Sequence, residues 1–160
     1  MFAILSSLLF GFVVGQSFYI NYPRLKPEIT EFKFEAFINC EKQEYWYYQI
    51  EYVEKDDIKN EIINTTALFT MHGQNNETIF TEGVQKGDEI HSVEYELRAR
   101  INHNCSSSHR NMSWFYKLEN VHVKKDNATI HFKANIDDKG HFVDDLISRI
   151  GAKYHEIVEN

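Results

Sequence analysis

Strict alternation of apolar and polar residues is the clearest pattern in this chain, and it runs longest from Glu94 to Cys105. Successive side chains of a strand point to opposite faces, so this stretch is predicted to be a half-buried antiparallel strand. One face carries Val93, Tyr95, Leu97, Ala99, Ile101 and His103. The other face pairs acids with arginines and carries Glu94, Glu96, Arg98, Arg100, Asn102 and Asn104.

The same alternation predicts further strands on both sides of that stretch. The clearest cover 32–40 and 45–54, and weaker ones cover 65–71, 79–81, 114–118, 121–125 and 129–134. Residues 82–89 contain two glycines and are predicted to form a loop. Seven or eight short strands with this spacing favour an all-β fold, an antiparallel β-sandwich over residues 31–136, rather than a parallel α/β sheet.

The two ends of the chain have different patterns. Residues 2–14 are uncharged and apolar, too short to cross a bilayer, so residues 1–16 are predicted to be a signal peptide, with a buried N-terminal helix as the alternative. Residues 17–30 contain both prolines and are predicted to form an extended lead-in. Residues 141–158 repeat apolar residues at three- and four-residue steps, which predicts one appended α-helix that packs on the sandwich or binds a partner.

Charge and sequons bear on location and partners. A formal net charge of −7 argues against a nucleic-acid partner, because neutralising phosphates needs an excess of Lys and Arg. After the signal segment, no stretch is long and apolar enough to span a membrane. Five N-glycosylation sequons favour a secreted, extracellular glycoprotein. Glycans are expected at Asn64, Asn76, Asn111 and Asn127, whereas the sequon at Asn104 contains a cysteine and should be used least.

The two cysteines, Cys40 and Cys105, allow a single intramolecular pairing. In the oxidising compartment that a signal peptide implies, a disulfide is the expected state, and free buried thiols are the alternative. Closing a loop of about 65 residues stabilises a fold by roughly 4 kcal/mol in the chain-entropy model.

The sequence contains no recognisable catalytic or metal-binding motif. The eight histidines are dispersed, and His103 lies two residues from a cysteine that a disulfide uses better. His122 and His131 could meet across a hairpin, but two ligands do not define a zinc site. No nucleophile-elbow motif and no glycine-rich phosphate loop is present. We therefore expect no catalytic residue, metal or cofactor, and predict that the protein is not an enzyme.

Residues 34–105 resemble the transthyretin-like proteins of nematodes. The resemblance rests on a strand ending in Cys40, a second strand closing in VEKDD, the segment LFTMHGQNNE preceded by Thr66, and a strand ending in INHNC. Glycines and further cysteines usual in that family are missing, so the chain would be a divergent member. The resemblance implies a secreted, transthyretin-like and immunoglobulin-like sandwich, and it implies neither thyroid-hormone binding nor hydrolase activity.

The predicted function is extracellular binding, as an adaptor of the transthyretin-like type. Its partner would be an extracellular or cell-surface protein, a lipid or a small apolar ligand. The alternative is a lipocalin-like or lipid-recognition carrier with an internal cavity, and a secreted hydrolase is a remote alternative. Exposed tyrosines and arginines dominate interface energies, so a binding surface is predicted on one outer strand face. Its residues would be Tyr45, Tyr47, Arg98 and Arg100.

Overall fold

The computed structural model describes residues 29–56, 59–87 and 92–143. The predicted signal peptide lies outside these residues, as do 17–28 of the predicted lead-in and 144–158 of the predicted helix. Every regular element within the described residues is a β-strand, which confirms the all-β class. No helix among them is long and apolar enough to cross a membrane.

The described residues form eleven strands. They are β1 (Ile29–Asn39), β2 (Tyr45–Glu54), β3 (Glu61–Thr65), β4 (Phe69–His72), β5 (Asn76–Lys86), β6 (Glu94–Tyr95), β7 (Leu97–His103), β8 (Met112–Lys117), β9 (Val121–His122), β10 (Asn127–Asn135) and β11 (His141–Phe142).

Most strands belong to two sheets that share one core. Sheet A has the order β10-β1-β5, and sheet B has the order β11-β8-β7-β2-β3, with β4 also paired to β2. β6 and β9 form a separate two-stranded ribbon. Inward side chains of both sheets meet in one hydrophobic cluster. Phe34 of sheet A stacks on Tyr52 of sheet B with ring centroids 3.9 Å apart, so the two sheets lie face to face.

Large aromatic side chains fill the space between the sheets. Alternation along β2 turns Trp46, Tyr48 and Tyr52 inward, and each is at most 1% exposed. Burying an aromatic or large aliphatic side chain stabilises a fold by roughly 1.5–3 kcal/mol. The Tyr48 hydroxyl donates to Glu77 Oε2 at 2.6 Å, so its polar tip has a partner inside the protein. Burial, and after it the Glu77 carboxylate, raises the pKa of Tyr48.

The prediction of a wholly antiparallel arrangement is wrong for one pair of strands. β1 and β10 are parallel over nine residue pairs, from Glu31 with Asn127 to Asn39 with Asn135. Parallel neighbours need a long connection, and here the chain passes through sheet B between the two strands. Alternation within a segment carries no information on the direction of its partner, which explains the error.

Two predicted strands are each divided in the structure. The predicted strand 65–71 is two strands, β3 and β4, which both pair with β2. Between them, Thr66 N donates to Ile50 O at 2.8 Å, and Ile50 N donates to Thr66 Oγ1 at 3.0 Å. A hydroxyl thus replaces a backbone carbonyl in the ladder. The predicted strand 94–105 is divided at Glu96, because β6 pairs with β9 whereas β7 pairs with β2 and β8.

Two further predictions are wrong at the edges of the sheets. Residues 82–86, predicted as loop, continue β5 because they pair with β1 up to Lys86. Gly83 serves a close approach here, since a Cβ at that position would lie 2.5 Å from Ile63 Cγ2 on sheet B. His141 and Phe142, where the helix was predicted to begin, pair with β8 as β11. These two splits and β11 raise the strand number above the predicted seven or eight.

A cluster of four residues, named here the disulfide hub, joins the ends of the two sheets: Cys40, His103, Cys105 and Asp137. The two cysteines lie at bonding distance, with sulfurs 2.04 Å and Cα atoms 6.0 Å apart, and both are fully buried. The Cα separation lies in the range that disulfides require. Asp137 Oδ1 accepts the N–H groups of Glu41 at 2.8 Å and Lys42 at 3.1 Å, which holds the turn after Cys40.

His103 is the ionisable member of the disulfide hub. Its Nδ1 accepts the N–H of Cys105 at 3.1 Å, so Nε2 carries the proton and donates to Lys139 O at 3.1 Å. The ring is fully buried, and burial lowers the pKa of His103 to about 4. The neutral ring therefore fits both contacts, and a second proton would remove the acceptor that Cys105 uses.

Acidification should reduce stability through His103. Below its unfolded-state pKa of 6.5 the unfolded chain binds a proton that the folded chain does not bind until about pH 4. The loss should grow across that interval to roughly 3 kcal/mol. Chemical unfolding at several pH values checks this, with His103→Gln compared with the exposed-site control His109→Gln. The free energy of unfolding of His103→Gln should be lower at pH 7 and flatter with pH; parallel curves for wild type and His103→Gln would contradict the prediction.

Gly140 should tolerate substitution far less than Gly73. Both have positive φ, +94° and +64°, so alanine is disfavoured at either position by roughly 1–2 kcal/mol. At Gly140 a Cβ would also collide with the Ser113 carbonyl, whose carbon would lie 2.6 Å away, whereas at Gly73 nothing lies within 4 Å. Thermal unfolding should show a clearly larger loss for Gly140→Ala than for Gly73→Ala, and equal losses would count against this packing.

Candidate functional site

The predicted binding surface on sheet B is spread along two strands. Tyr45 and Tyr47 lie at the start of β2, whereas Arg98 and Arg100 pair with Val53 and Glu51 near its end. All four lie on the face turned away from the core. Tyr47 and Glu51, the partner of Arg100, are four residue steps apart along the strand, or about 13 Å. The structure therefore places these residues on one face without bringing the tyrosines and arginines together.

Two of these four residues are engaged by their neighbours. Arg100 forms an ion pair with Glu51, and its guanidinium carbon lies 5.8 Å from the centroid of the Phe115 ring. The Tyr47 hydroxyl donates to Asn111 Oδ1, and burial raises the pKa of Tyr47. Tyr45 is 58% exposed and packs edge-on against His72, with centroids 4.0 Å apart. A role for this surface in binding stays a prediction.

Among the described residues, strands of the two sheets lie directly against each other along one side. At that side β3 of sheet B lies against β5 of sheet A, where Asn64 Nδ2 donates to Glu82 O and Ile63 meets Gly83. On the opposite side, the edges of β8 and β10 leave a cleft of about 440 Å³, named here the β8–β10 cleft. Its existence depends on which strands end at sheet edges, so no pattern within a single segment could have predicted it.

The floor of the β8–β10 cleft is apolar and partly aromatic. It is formed by Tyr116, Leu118, Ile130 and Phe132. The Tyr116 and Phe132 rings lie 5.3 Å apart, and Phe132 also meets the core residue Tyr52 edge-on at 6.4 Å. The floor is therefore continuous with the packed core, which holds its side chains in place.

Charged residues surround this floor. His131 Nδ1 lies 2.7 Å from Glu35 Oε2, because the two residues are direct partners across β1 and β10. Lys133 Nζ lies 5.8 Å from the centroid of Phe37, its own partner on β1. Lys117 and Glu119 complete the rim from the side of sheet B. The arrangement suits a ligand with an apolar body and polar ends.

A histidine beside a carboxylate is also a component of hydrolytic triads. The His131–Glu35 pair is exposed, at 65% and 40% of the two side chains. No hydroxyl or thiol within the described residues hydrogen-bonds to His131, whereas the histidine of such a triad is hydrogen-bonded to its nucleophile. Its geometry supports surface pairing and polar contact with a ligand.

One acidic cluster lies elsewhere in the described residues. Oxygens of Glu54, Asp56 and Glu61 lie within 4.8 Å of one another. Gln85 Nε2 donates to Glu54 Oε2 at 2.9 Å and also to Glu61 Oε2, so an amide links two of these carboxylates. The third is partly exposed to solvent.

The sequon asparagines differ in how the fold uses their amides. Asn76 and Asn127 are exposed and lie on the outer face of sheet A, opposite Asn39 and Glu31 on β1. In contrast, the amides of the other three take part in hydrogen bonds within the protein. Asn64 donates to Glu82 O, Asn104 accepts Tyr47 N–H at 2.8 Å, and Asn111 accepts the Tyr47 hydroxyl.

Fold and cleft together define a small, disulfide-linked, all-β protein with a cleft at the open side of two packed sheets. The chain belongs to the family described as Caenorhabditis elegans protein of unknown function (DUF870), whose model matches residues 35–144. That segment contains every residue that lines the β8–β10 cleft and both cysteines of the disulfide hub. No curated protein and no solved structure matches the chain.

Glycans should be found at Asn76 and Asn127 and be least abundant at Asn64 among the four expected sites. The Asn64 Nδ2 atom, to which a glycan would be attached, donates to Glu82 O and stands where the sheets approach most closely. The measurement is peptide mass spectrometry of the protein secreted from eukaryotic cells, before and after enzymatic deglycosylation. Thr78→Ala and Thr129→Ala, which remove the two exposed sequons, serve as controls. High occupancy at Asn64 with empty Asn76 and Asn127 would contradict the expectation.

Proposed function

We propose that the protein is a secreted binding module with a transthyretin-like β-sandwich, and that it holds its ligand in the β8–β10 cleft without catalytic turnover. One observation carries this proposal, the cleft at the open side of the two sheets, whose apolar and aromatic lining includes the partly exposed Tyr116 and which is bordered by charged residues. Its volume of about 440 Å³ lies in the range of known ligand pockets. The ligand class is an extracellular or cell-surface protein, or an apolar molecule with polar ends.

The sandwich architecture draws support from the contacts between the sheets. Phe34 of sheet A stacks on Tyr52 of sheet B, and the Cys40–Cys105 pair joins the ends of β1 and β7. Cys40 and Cys105 each stand at the end of a segment that contributes to the resemblance to transthyretin-like proteins. An immunoglobulin-like class is the natural description of such a small two-sheet domain.

The filled interior favours a binding module over a lipocalin-like carrier. A carrier needs a closed barrel whose strands enclose a cavity. Here Trp46, Tyr48 and Tyr52 occupy the space between the sheets, and β8 and β10 do not pair with each other within the described residues, so the strands do not close into a barrel there. Available space lies at the side of the domain, where a ligand would contact both sheets at once.

A secreted hydrolase is the less favoured class. The His131–Glu35 pair is the arrangement in the cleft that most resembles catalytic machinery, and its side chains are largely exposed to water. Histidine–carboxylate pairs act in catalysis when a nucleophile and an oxyanion site accompany them. Secretion itself is supported by the disulfide-linked cysteines and by exposed sequons such as Asn76 and Asn127.

Binding in the cleft should depend on Tyr116 and not on Tyr45. A library of small aromatic compounds, screened by amide NMR on the full-length secreted protein, should produce shifts concentrated on β8 and β10. Tyr116→Ala removes part of the floor and should weaken the best compound roughly ten-fold, whereas Tyr116→Phe should retain most of the affinity. Tyr45→Ala is the matched control: it removes a tyrosine from the surface predicted on sheet B and should leave the affinity unchanged.

The outcomes separate the two surfaces. If Tyr45→Ala weakens binding and Tyr116→Ala does not, the predicted surface on sheet B is the site and the cleft is not. An ester-hydrolysis assay completes the test, because turnover above the buffer rate that is lost in His131→Ala would overturn the non-catalytic proposal.

A further inference from the structure

Strand β10 presents one edge of its backbone to the β8–β10 cleft. At the start of the ladder between β10 and β1, Glu31 N donates to Asp126 O at 2.9 Å. At the end of this ladder, Ile136 N donates to Asn39 O at 2.9 Å. In a parallel ladder alternate residues of a strand bond to the same neighbour. The even-numbered residues of β10 therefore face β1, and the N–H and C=O groups of Thr129, His131 and Lys133 point away from it.

The facing edge of β8 is open in the same way. Leu118 N donates to Leu97 O at 3.0 Å, which places the even-numbered residues of β8 against β7. The backbone groups of Phe115 and Lys117 therefore point away from sheet B. β11 pairs with β8 only at Met112 and Ser113, and no other strand of the described residues pairs with that side of β8 or with the open side of β10.

Proteins usually protect the edges of their sheets with prolines, bulges, inward charges or covering segments. Among the described residues, β10 has no proline, bulge or inward charge and no strand covering its open side, although it carries the exposed Lys133. It contains no proline or glycine, its register with β1 is continuous over nine pairs, and its inward residues are all apolar. These inward residues are Ala128, Ile130, Phe132 and Ala134.

The other edge of sheet A provides a comparison within the same molecule. On β5, Glu82 O accepts a hydrogen bond from Asn64, and Gly83 lets β3 pack close to the edge. The edge of β5 is thus covered by the facing sheet around Glu82 and Gly83, whereas no strand of the described residues covers the open edge of β10. Because an unprotected edge promotes unwanted pairing, its retention beside a ligand-sized cleft indicates a use.

We propose that the β8–β10 cleft receives an extended segment of a partner polypeptide, which pairs with the open edge of β10 as an added strand. This inference rests on the proposed binding function and names the class of ligand. Backbone donors and acceptors at every second residue, at Thr129, His131 and Lys133, are matched by another strand. From Thr129 to Lys133 the edge is five residues, or about 17 Å, long.

The side chains of the cleft define what this segment should contain. In an added strand, alternate side chains would point to the floor formed by Tyr116 and Phe132, so apolar residues are expected at every second position. The intervening side chains would point outward beside Lys133. Lys133 forms no ion pair with a described residue, so acidic residues are favoured at the outward positions.

The test uses linear peptides selected from a displayed random library on the full-length, secreted protein. The best peptide is resynthesised with a single N-methyl group at each position in turn, and each dissociation constant is measured by calorimetry. Strand pairing predicts that methylation at every second position weakens binding roughly ten-fold, because one N–H bond is lost, whereas the intervening positions are tolerated.

Two protein variants make the same comparison on β10. In His131→Pro the N–H that points to the cleft is absent while the ladder with β1 keeps its donors, since His131 N does not face β1. His131→Ala removes the same side chain and keeps the N–H. The peptide should bind His131→Pro at least roughly ten-fold more weakly than His131→Ala. Where His131→Pro fails to fold, the N-methyl series decides alone.

Each result has one consequence. Uniform tolerance of N-methylation, or equal affinities of the folded proline and alanine variants, would overturn strand addition even if Tyr116→Ala still weakens the peptide. If no peptide is selected but aromatic compounds still shift β8 and β10, strand addition is wrong and the binding function stands. If neither peptides nor compounds bind the cleft, both proposals fail.

Discussion

The covalent bond between Cys40 and Cys105 joins the end of β1, the central strand of sheet A, to the end of β7 in the middle of sheet B. It closes a loop of 65 residues and so removes much of the freedom of the unfolded chain, by roughly 4 kcal/mol. Its effect on the native state is geometric. β1 pairs with both other strands of sheet A. Holding β1 against β7 therefore also sets the positions of β5 and β10 relative to sheet B. One side closes as β5 reaches β3, and the other remains open.

Alternation of residue type was sufficient to predict most of the strands, since each is amphipathic on its own. Predicted and observed limits agree closely for β2 and approximately for β1 and β10. Failures fall where a distant partner decides the structure. Gly83 was interpreted as a turn residue, but its lack of a Cβ serves the contact with Ile63 across the two sheets. The parallel direction of β10 and the division at Thr66 depend likewise on neighbours that the local sequence does not reveal.

The candidate site was less predictable than the fold for a related reason. Exposed tyrosines and arginines can be found from the pattern of one strand, and Tyr45 is indeed exposed. In contrast, Tyr116 and Phe132 look like ordinary core residues in the sequence. They become a floor because β10 is an edge strand, β11 pairs with only the start of β8, and the two sheets do not close on that side within the described residues. The sequence signal that could have indicated the site is the lack of proline, glycine and inward charge along β10, which matters only once β10 is known to be an edge.

β10 is an edge strand of nine residues, and its open side promotes self-association. Other features of the domain oppose self-association but leave the edge accessible. Edge strands with apolar inward faces promote self-association, and charges on neighbouring surfaces oppose it. The chain has a net charge of −7, and the outward residues of β10 include His131 and Lys133 beside Glu31, Lys33 and Glu35 of β1. These charges lie on the face of sheet A, so they keep flat surfaces apart while the backbone groups at the edge remain accessible. A partner that approaches in the plane of the sheet can pair with the edge, whereas face-to-face stacking of two copies is opposed. The position of the charges thus favours selective access to the edge over general protection of the sheet.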